Sequence, residues 1–405
     1  MTTERTVLLT GVTGFLGREL MAQLLTDDDA RITCLVRAAD DAEAAQRLRG
    51  TVDDVFGAGA WRTVWHRVNA VRGDVTRPSL GLSRSDRARL VRTTTHLVHG
   101  AASVRFDLPL SQARRINVAG AVEAAAFASA AHHRGTLQRF EYISTSFVAG
   151  RHPVPFGEDE LDVGQRFRNT YEQSKFEAEL VIRAVMPRVP TTVVRPSIVI
   201  GDSRSGATSA FNVVYWPLRV YADGVLRVAP APPDLPVDMV PVDFVARGAL
   251  AALFNGEDGA TYALAAGDRA VDARTIAAMA ARAFNVPPPR FLRTRLERAL
   301  VPLLGPVSRV GPWRRFGRSF RQFLPYFESG SRFETHHADA LLHPQGIDPP
   351  VATSVLEPVL EFARVTDFGR NQAATRRLRH RLSRERRRGL AESRSRTRVS
   401  SAGCE

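Results

Sequence analysis

A short apolar run, Thr6-Val-Leu-Leu-Thr10, leads into a turn with glycine at 11, 14 and 17, and then into an amphipathic stretch from about Phe15 to Leu25. Few folds accommodate that order. The run suits a buried strand and is too short for a buried helix. Glycine permits a tight turn at 11, close approach of backbone to a bound group at 14, and helix-on-strand packing at 17. A helix opening there presents unpaired N–H groups and the positive end of its dipole, which together attract phosphate. The stretch predicts a strand–turn–helix unit that cradles the pyrophosphate of a dinucleotide.

The same rhythm continues. Strands are expected at 31–37, 67–73, 95–102, 139–146 and 191–201. Helices are expected between them at about 39–56, 83–92, 111–132 and 168–186. Strands alternating with helices imply a parallel sheet covered on both faces. The predicted fold class is therefore α/β, a doubly wound parallel sheet of the Rossmann type, with a smaller C-terminal substrate lobe and a disordered basic tail. The expected boundaries are 1–205 for the nucleotide-binding domain, with strand returns near 237–266, then 206–370 for the lobe and 371–405 for the tail. The lobe begins with a Gly- and Pro-rich stretch carrying Phe211, Tyr215, Trp216 and Tyr221, which suits a hydrophobic substrate.

Charge is unevenly spread. The net charge is +14. Residues 376–405 hold 11 Arg against Glu385, Glu392 and Glu405, or +8, which leaves +6 for the rest. The basic segment has few apolar residues, so it is expected to be disordered with a short helix at its start. It suits an anionic lipid surface or an acidic partner, or it is merely solvated; no specific nucleic acid is expected. The two cysteines, Cys34 and Cys404, form neither a disulfide framework nor a metal spacing. His336 and His337 have no residues around them that would complete a metal site. The chain opens directly on a strand, without a signal-peptide pattern, and no apolar run approaches the roughly 20 residues that span a bilayer. A cytoplasmic protein is expected.

The second strand ends in Arg37, where a dinucleotide site that binds NAD usually carries an acid for the ribose 2′-hydroxyl. A guanidinium there favours a 2′-phosphate, so NADP is the expected cofactor. Arg18 could add to this charge, Asp40 and Asp41 come too late, and Asp74 is a candidate for the adenine edge.

Lysine occurs once, at Lys175; the other 55 of the 56 basic residues are arginine. Arginine is planar and always charged, whereas lysine is compact and titratable. Tyr171 lies four residues earlier, on the same helical face. A tyrosine with an ordinary pKa of about 10 beside an ammonium is expected to titrate lower and to exchange a proton with a carbonyl oxygen. Ser144, Thr145 and Ser146 end the fifth strand, where chemistry sits in parallel sheets, and any of them is placed to bond the same oxygen.

These pieces in this order, TGVTGFLG, GD at 73–74, Asn117 in INVAG, YISTS, YEQSK and VVRPSIVIG, resemble the extended short-chain dehydrogenase/reductase superfamily over roughly 5–265. The resemblance selects Thr145 by register to Gly150. It implies catalytic roles for Thr145, Tyr171 and Lys175, with Lys175 also holding the nicotinamide ribose. Asn117 is implied to support the helix or a proton relay through water. The cofactor site it implies comprises Gly11, Thr13, Gly14, Phe15, Leu16, Gly17, Arg37, Asp74, Val75, Ala101, Ala102, Tyr171, Lys175, Pro196 and Ile198.

A narrower likeness lies in HGAASVRFD (99–107), STSFVAG (144–150), RPSIVIGDSRSGA (195–207) and VPVDFVA (240–246). These resemble the fatty acyl-CoA reductase and thioester-reductase branch. That branch implies an NADPH-dependent reductase of an acyl thioester, free or on an acyl carrier protein, giving aldehyde or alcohol without a cysteine nucleophile. A stand-alone reductase is expected. The alternatives are a reductase of a sterol-like or flavonol-like ketone or alcohol or of a nucleotide sugar, or a protein that binds NADP without turnover. The basic-amphipathic segment 291–327 is expected to cap an acyl groove with Leu300, Leu303, Leu304, Phe320 and Phe323, to lie on a membrane surface, to meet an anionic partner (the phosphates of coenzyme A or an acidic carrier protein), or simply to pack on the small lobe as an amphipathic helix.

Overall fold

The computed structural model describes residues 5–152, 155–211, 214–225, 227–292, 326 and 330–402. Most of segment 291–327, with Leu300, Leu303, Leu304, Phe320 and Phe323, lies outside the described residues, as does Cys404.

Six strands form in the expected order: β1 (Thr6–Thr10), β2 (Arg31–Val36), β3 (Val68–Arg72), β4 (His96–His99), β5 (Arg139–Ile143) and β6 (Thr191–Pro196). A seventh, Thr261–Leu264, pairs with β6. All pairings are parallel, and the sheet runs seventh–β6–β5–β4–β1–β2–β3. The intervening helices are α1 (Phe15–Thr26), α2 (Asp41–Phe56), the single turn α3 (Trp61–Val64), α4 (Arg84–Thr93), α5 (Leu110–His133) and α6 (Thr170–Val185). Leu9, Cys34, Val98 and Val194 pack one face of the sheet under α1, α2 and the helix Val242–Asn255. Leu8, Leu97, Phe140 and Val193 pack the other face under α5 and α6. Buried alanines at 121, 124, 125, 128 and 131 let α5 lie close.

Strand order reverses between β1 and β4, and the loops leaving these strands diverge there, which is where a doubly wound sheet opens its ligand crevice. Gly11 has φ +84°. A side chain on it would come within 2.8 Å of Gly100 and Ala101 backbone, and one on Gly17 within 2.1 Å of the Gly11 carbonyl. The two loops and α1 thus interlock through missing β-carbons.

The second lobe has its own core, with Tyr215, Leu218, Ile276, Leu356 and Val359 among its buried members. They come from helices Tyr215–Ala222, Ala273–Phe284 and Ala352–Val365. His336–Leu342 returns to the first core through Ala338 and Leu342.

The basic segment differs from its expectation. Where composition predicts disorder from 371, apart from a short starting helix, a helix runs over Gln372–Ala402. Its first half docks on the nucleotide-binding layer. Leu390 is buried in the first core, Arg386 pairs with Glu19 at 2.5 Å, and Arg387 donates to the Phe56 carbonyl at 2.6 Å. Tertiary contact supplies the partners that a composition-based reading does not see. Among the described residues no helix is long and apolar enough to cross a membrane.

Candidate active site

Asn169 caps α6, its side chain accepting from the Glu172 amide at 3.0 Å. The cap sets the phase of the helix, and Ser174, Lys175, Ala178, Glu179 and Ile182 turn inward. Asn117 fastens α6 to the loop after β4: its amide donates to Ser174 Oγ at 2.9 Å and its oxygen accepts from the Ser103 amide at 2.8 Å.

The three hydroxyls after β5 take different directions. Ser144 donates to Glu179 at 2.5 Å, and Ser146 donates to the Arg195 carbonyl at 2.7 Å. Thr145 lies close enough to Tyr171 to draw its pKa down, and its hydroxyl donates to the Pro196 carbonyl at 3.4 Å. The structure therefore brings Thr145 and Tyr171 together and spends the two serines elsewhere.

Lys175 is buried at the same strand end. Its Nζ donates to Tyr142 Oη at 2.6 Å and to the Ile143 carbonyl at 2.8 Å, rather than to Tyr171. Burial brings its pKa down to about 7, opposed by the Glu179 charge. Burial also pushes Tyr171 up to about 12, against the Thr145 hydrogen bond and with help from the Glu172 charge. The expected lowering of Tyr171 by a neighbouring ammonium does not hold. Desolvation disfavours both charged forms, so the phenol stays protonated at neutral pH.

Several contributors were not singled out in the sequence. Tyr142 is the lysine's partner. Glu179 forms a buried ion pair with Arg195 at 2.6 Å, and Arg195 also donates to the carbonyls of Gly157, Glu158 and Glu160. Removing one member of such a pair costs about 3–5 kcal/mol. Phe106 packs against Tyr171 with ring centroids 5.6 Å apart, and Tyr326 stacks on Phe106 at 5.7 Å. The hydroxyl of Tyr326 donates to Glu172 at 2.7 Å. A sequence offers little signal for these, because most of their partners are far away along the chain.

The nucleotide crevice suits a dinucleotide. Helix α1 begins at Gly14 with no side-chain cap and no acid in its first turn, so the N–H groups of Phe15, Leu16 and Gly17 meet no competing side chain. A β-carbon on Gly14 would meet only the Gly11 carbonyl. Thr13 is exposed beside it. Arg18 turns to Asp54 at 3.0 Å and to the Thr13 carbonyl, which ties it to α2 rather than to the end of β2. Arg37 is exposed there, where Arg47 and Arg72 donate to the carbonyls of Arg37 and Ala39. Asp40 is occupied in capping α2. Asp74 accepts from the Thr76 amide and hydroxyl; these bonds, with Arg37 and Arg77 nearby, hold it below its usual pKa despite burial. Val75 packs toward Gly120. The Ala101 amide donates to Thr10 at 3.2 Å, with Ala102 exposed next to it. Ile198 belongs to the wall of an apolar cavity on the lobe side. Cys34 is fully buried, and burial pushes its thiol up, so it is no nucleophile.

The chain is similar to several known proteins. The chain is 31% identical over 259 residues to the nonribosomal peptide synthetase asaC of Aspergillus flavus, covering 61% of this chain and 24% of that protein. It is 28% identical over 284 residues to the fatty acyl-CoA reductase wat of Drosophila melanogaster, covering 62% of this chain and 54% of that one. Both matches span less than two thirds of those relatives. Among solved structures, the terminal R domain from the myxalamid PKS-NRPS biosynthetic pathway superposes with a TM-score of 0.76 at 28% identity, covering 91% of this chain and 92% of that one. Residues 9–249, more than half of the chain, match the NAD-binding family described as Male sterility protein. The chain is an oxidoreductase of that family, within the extended short-chain dehydrogenases/reductases.

Proposed function

We propose that this protein is an NADPH-dependent reductase of acyl thioesters, giving an aldehyde or, by a second reduction, an alcohol. The observation that carries the reading is that buried Thr145 at the end of β5 and Tyr171 on α6 lie beside a buried Lys175 that is fixed to Tyr142 and the Ile143 carbonyl. When bound, NADPH supplies hydride to the thioester carbonyl carbon. Tyr171 gives its proton to the oxygen as negative charge develops there, and Thr145 holds that oxygen by a hydrogen bond. A phenol with a raised pKa suits this direction, because it arrives protonated and yields its proton to a more basic alkoxide. The hemithioacetal then collapses: its hydroxyl returns the proton to the Tyr171 phenolate, the C–S bond breaks, the sulfur leaves as thiolate and takes a proton from water, and the carbonyl reforms as aldehyde. Lys175 positions the nicotinamide ribose, and Arg37 meets the 2′-phosphate. The unreactive Cys34 favours direct reduction over a covalent acyl-enzyme. The relatives named as an R domain and as a fatty acyl-CoA reductase support a thioester substrate.

The test is NADPH oxidation by the full chain with acyl-CoAs and acylated carrier proteins, alongside ketones and nucleotide sugars. Turnover of thioesters that disappears in Tyr171→Phe is expected. Turnover of ketones or sugar nucleotides alone refutes the proposal.

A further inference from the structure

A cavity of about 170 Å³ lies on the side of the second lobe, with Phe147 and Tyr326 in its wall. Two residues of its wall belong to the site. Phe147 donates its amide to Thr145 Oγ1 at 3.3 Å, and Tyr326 closes the aromatic stack that begins at Tyr171. The rest of the wall is supplied by the lobe, with Leu218, Ile276 and Ala277 among its members. A group placed there hangs from the reacting carbonyl and occupies the position of an acyl chain.

The lining is chemically narrow. Among the described residues that form it there is no arginine, lysine or histidine, and the one carboxylic acid is Asp238. That carboxyl accepts from the amides of Ala266 and Gly267 at 2.8 and 2.9 Å, and burial raises its pKa. It offers no counter-charge to a substrate carboxylate and repels one when ionised. Arg168, a guanidinium behind the wall, donates to Ser331, to the Gly150 carbonyl and to Glu172. An ionised acyl group would shed its hydration against these described walls without a counter-charge from them.

The volume sets a scale. A cavity of roughly 150 Å³ holds one benzene ring, so the space here suits about six carbons. Resting on the thioester-reductase reading above, we infer that the acyl group accepted by this protein is compact, uncharged and apolar: an aliphatic chain of about six carbons or a single aromatic ring. Long fatty acyl and dicarboxylic acyl groups are disfavoured.

The experiment uses the full chain and a series of CoA thioesters: acetyl, butanoyl, hexanoyl, phenylacetyl, palmitoyl and succinyl. Each methylene is worth about 0.8 kcal/mol, so kcat/KM is expected to rise about fourfold per carbon up to about hexanoyl, and to fall for palmitoyl. Succinyl is expected about 100-fold or more below butanoyl. Ala277→Phe is expected to move the optimum to shorter chains, with thermal unfolding reporting that it folds; the wild-type series stands without it. Equal rates for succinyl and butanoyl, or an unbroken rise to palmitoyl, overturn the inference. A second arm is independent of turnover: hexanamide and phenylacetamide should raise the unfolding temperature and succinamate should not. If no thioester reacts yet the two apolar amides stabilise the protein, the thioester reading fails and the apolar site stands. If succinamate stabilises as well as hexanamide, or no amide stabilises at all, the site itself is refuted.

Discussion

Tyr142→Phe isolates one hydroxyl. Lys175 is buried and has two acceptors, Tyr142 Oη at 2.6 Å and the Ile143 carbonyl at 2.8 Å. Its Nζ also lies 4.2 Å from the Tyr142 ring centroid, a contact that phenylalanine keeps. A hydrogen bond to a charged group contributes about 1.5–3 kcal/mol. At about 1.36 kcal/mol per pKa unit, its loss lowers Lys175 by about one to two further units from a value already near 7. The sign follows from lysine being charged below its pKa: a lower value means the ammonium is lost at a lower pH. If turnover needs that ammonium, the alkaline limb of kcat/KM, near pH 7 in the wild type, moves to about pH 5–6. The assay is NADPH oxidation with a reactive acyl-CoA over about pH 5 to 9, with thermal unfolding of both proteins measured at each pH. An unmoved limb refutes the assignment of Tyr142 as the residue that positions and charges Lys175. A uniform loss at every pH assigns it to packing alone.

Lys175→Arg keeps the charge but places a broad guanidinium in a site that is 2% exposed. A loss of about 100-fold or more in kcat/KM is expected, the scale of a displaced acid–base group; a silent substitution refutes the positional role. Arg37→Ala should raise the KM for NADPH by about 10- to 150-fold, the equivalent of one charge-assisted hydrogen bond, and leave that for NADH little changed. Equal effects on both cofactors refute the 2′-phosphate role. Ending the chain at Asn371 removes the Arg387 and Leu390 contacts. Losing the burial of one leucine alone costs about 1.5–3 kcal/mol, so the unfolding temperature should fall by several degrees. An unchanged midpoint would show that the docked helix contributes nothing.

Local pattern was enough for much of this molecule. Gly11, Gly14 and Gly17 after a buried strand specify a turn and a helix start through backbone sterics alone, and the alternation of strand and helix follows from hydrophobic period. Tyr171 and Lys175 were legible as candidates from their spacing of four, and Ser144, Thr145 and Ser146 as a set from their place at a strand end; the choice of Thr145, and Asn117, came only from the resemblance. What each group does with its proton was not legible. Burial is a property of everything packed around a side chain, and it sends Tyr171 up and Lys175 down against the pairwise expectation. The separate fates of Ser144, Thr145 and Ser146 depend on Glu179 and Arg195, residues brought in from α6 and β6. The docking of an arginine-rich helix on α1 and α2 likewise needs partners, Glu19 and Phe56, more than 300 positions away. The sequence by itself determined which backbone units form and which residue types could react. Tertiary structure decided which of them meet, which stay neutral, and that an apolar cavity lies on the side of the second lobe, because desolvation and contact arise only once distant segments share one interior.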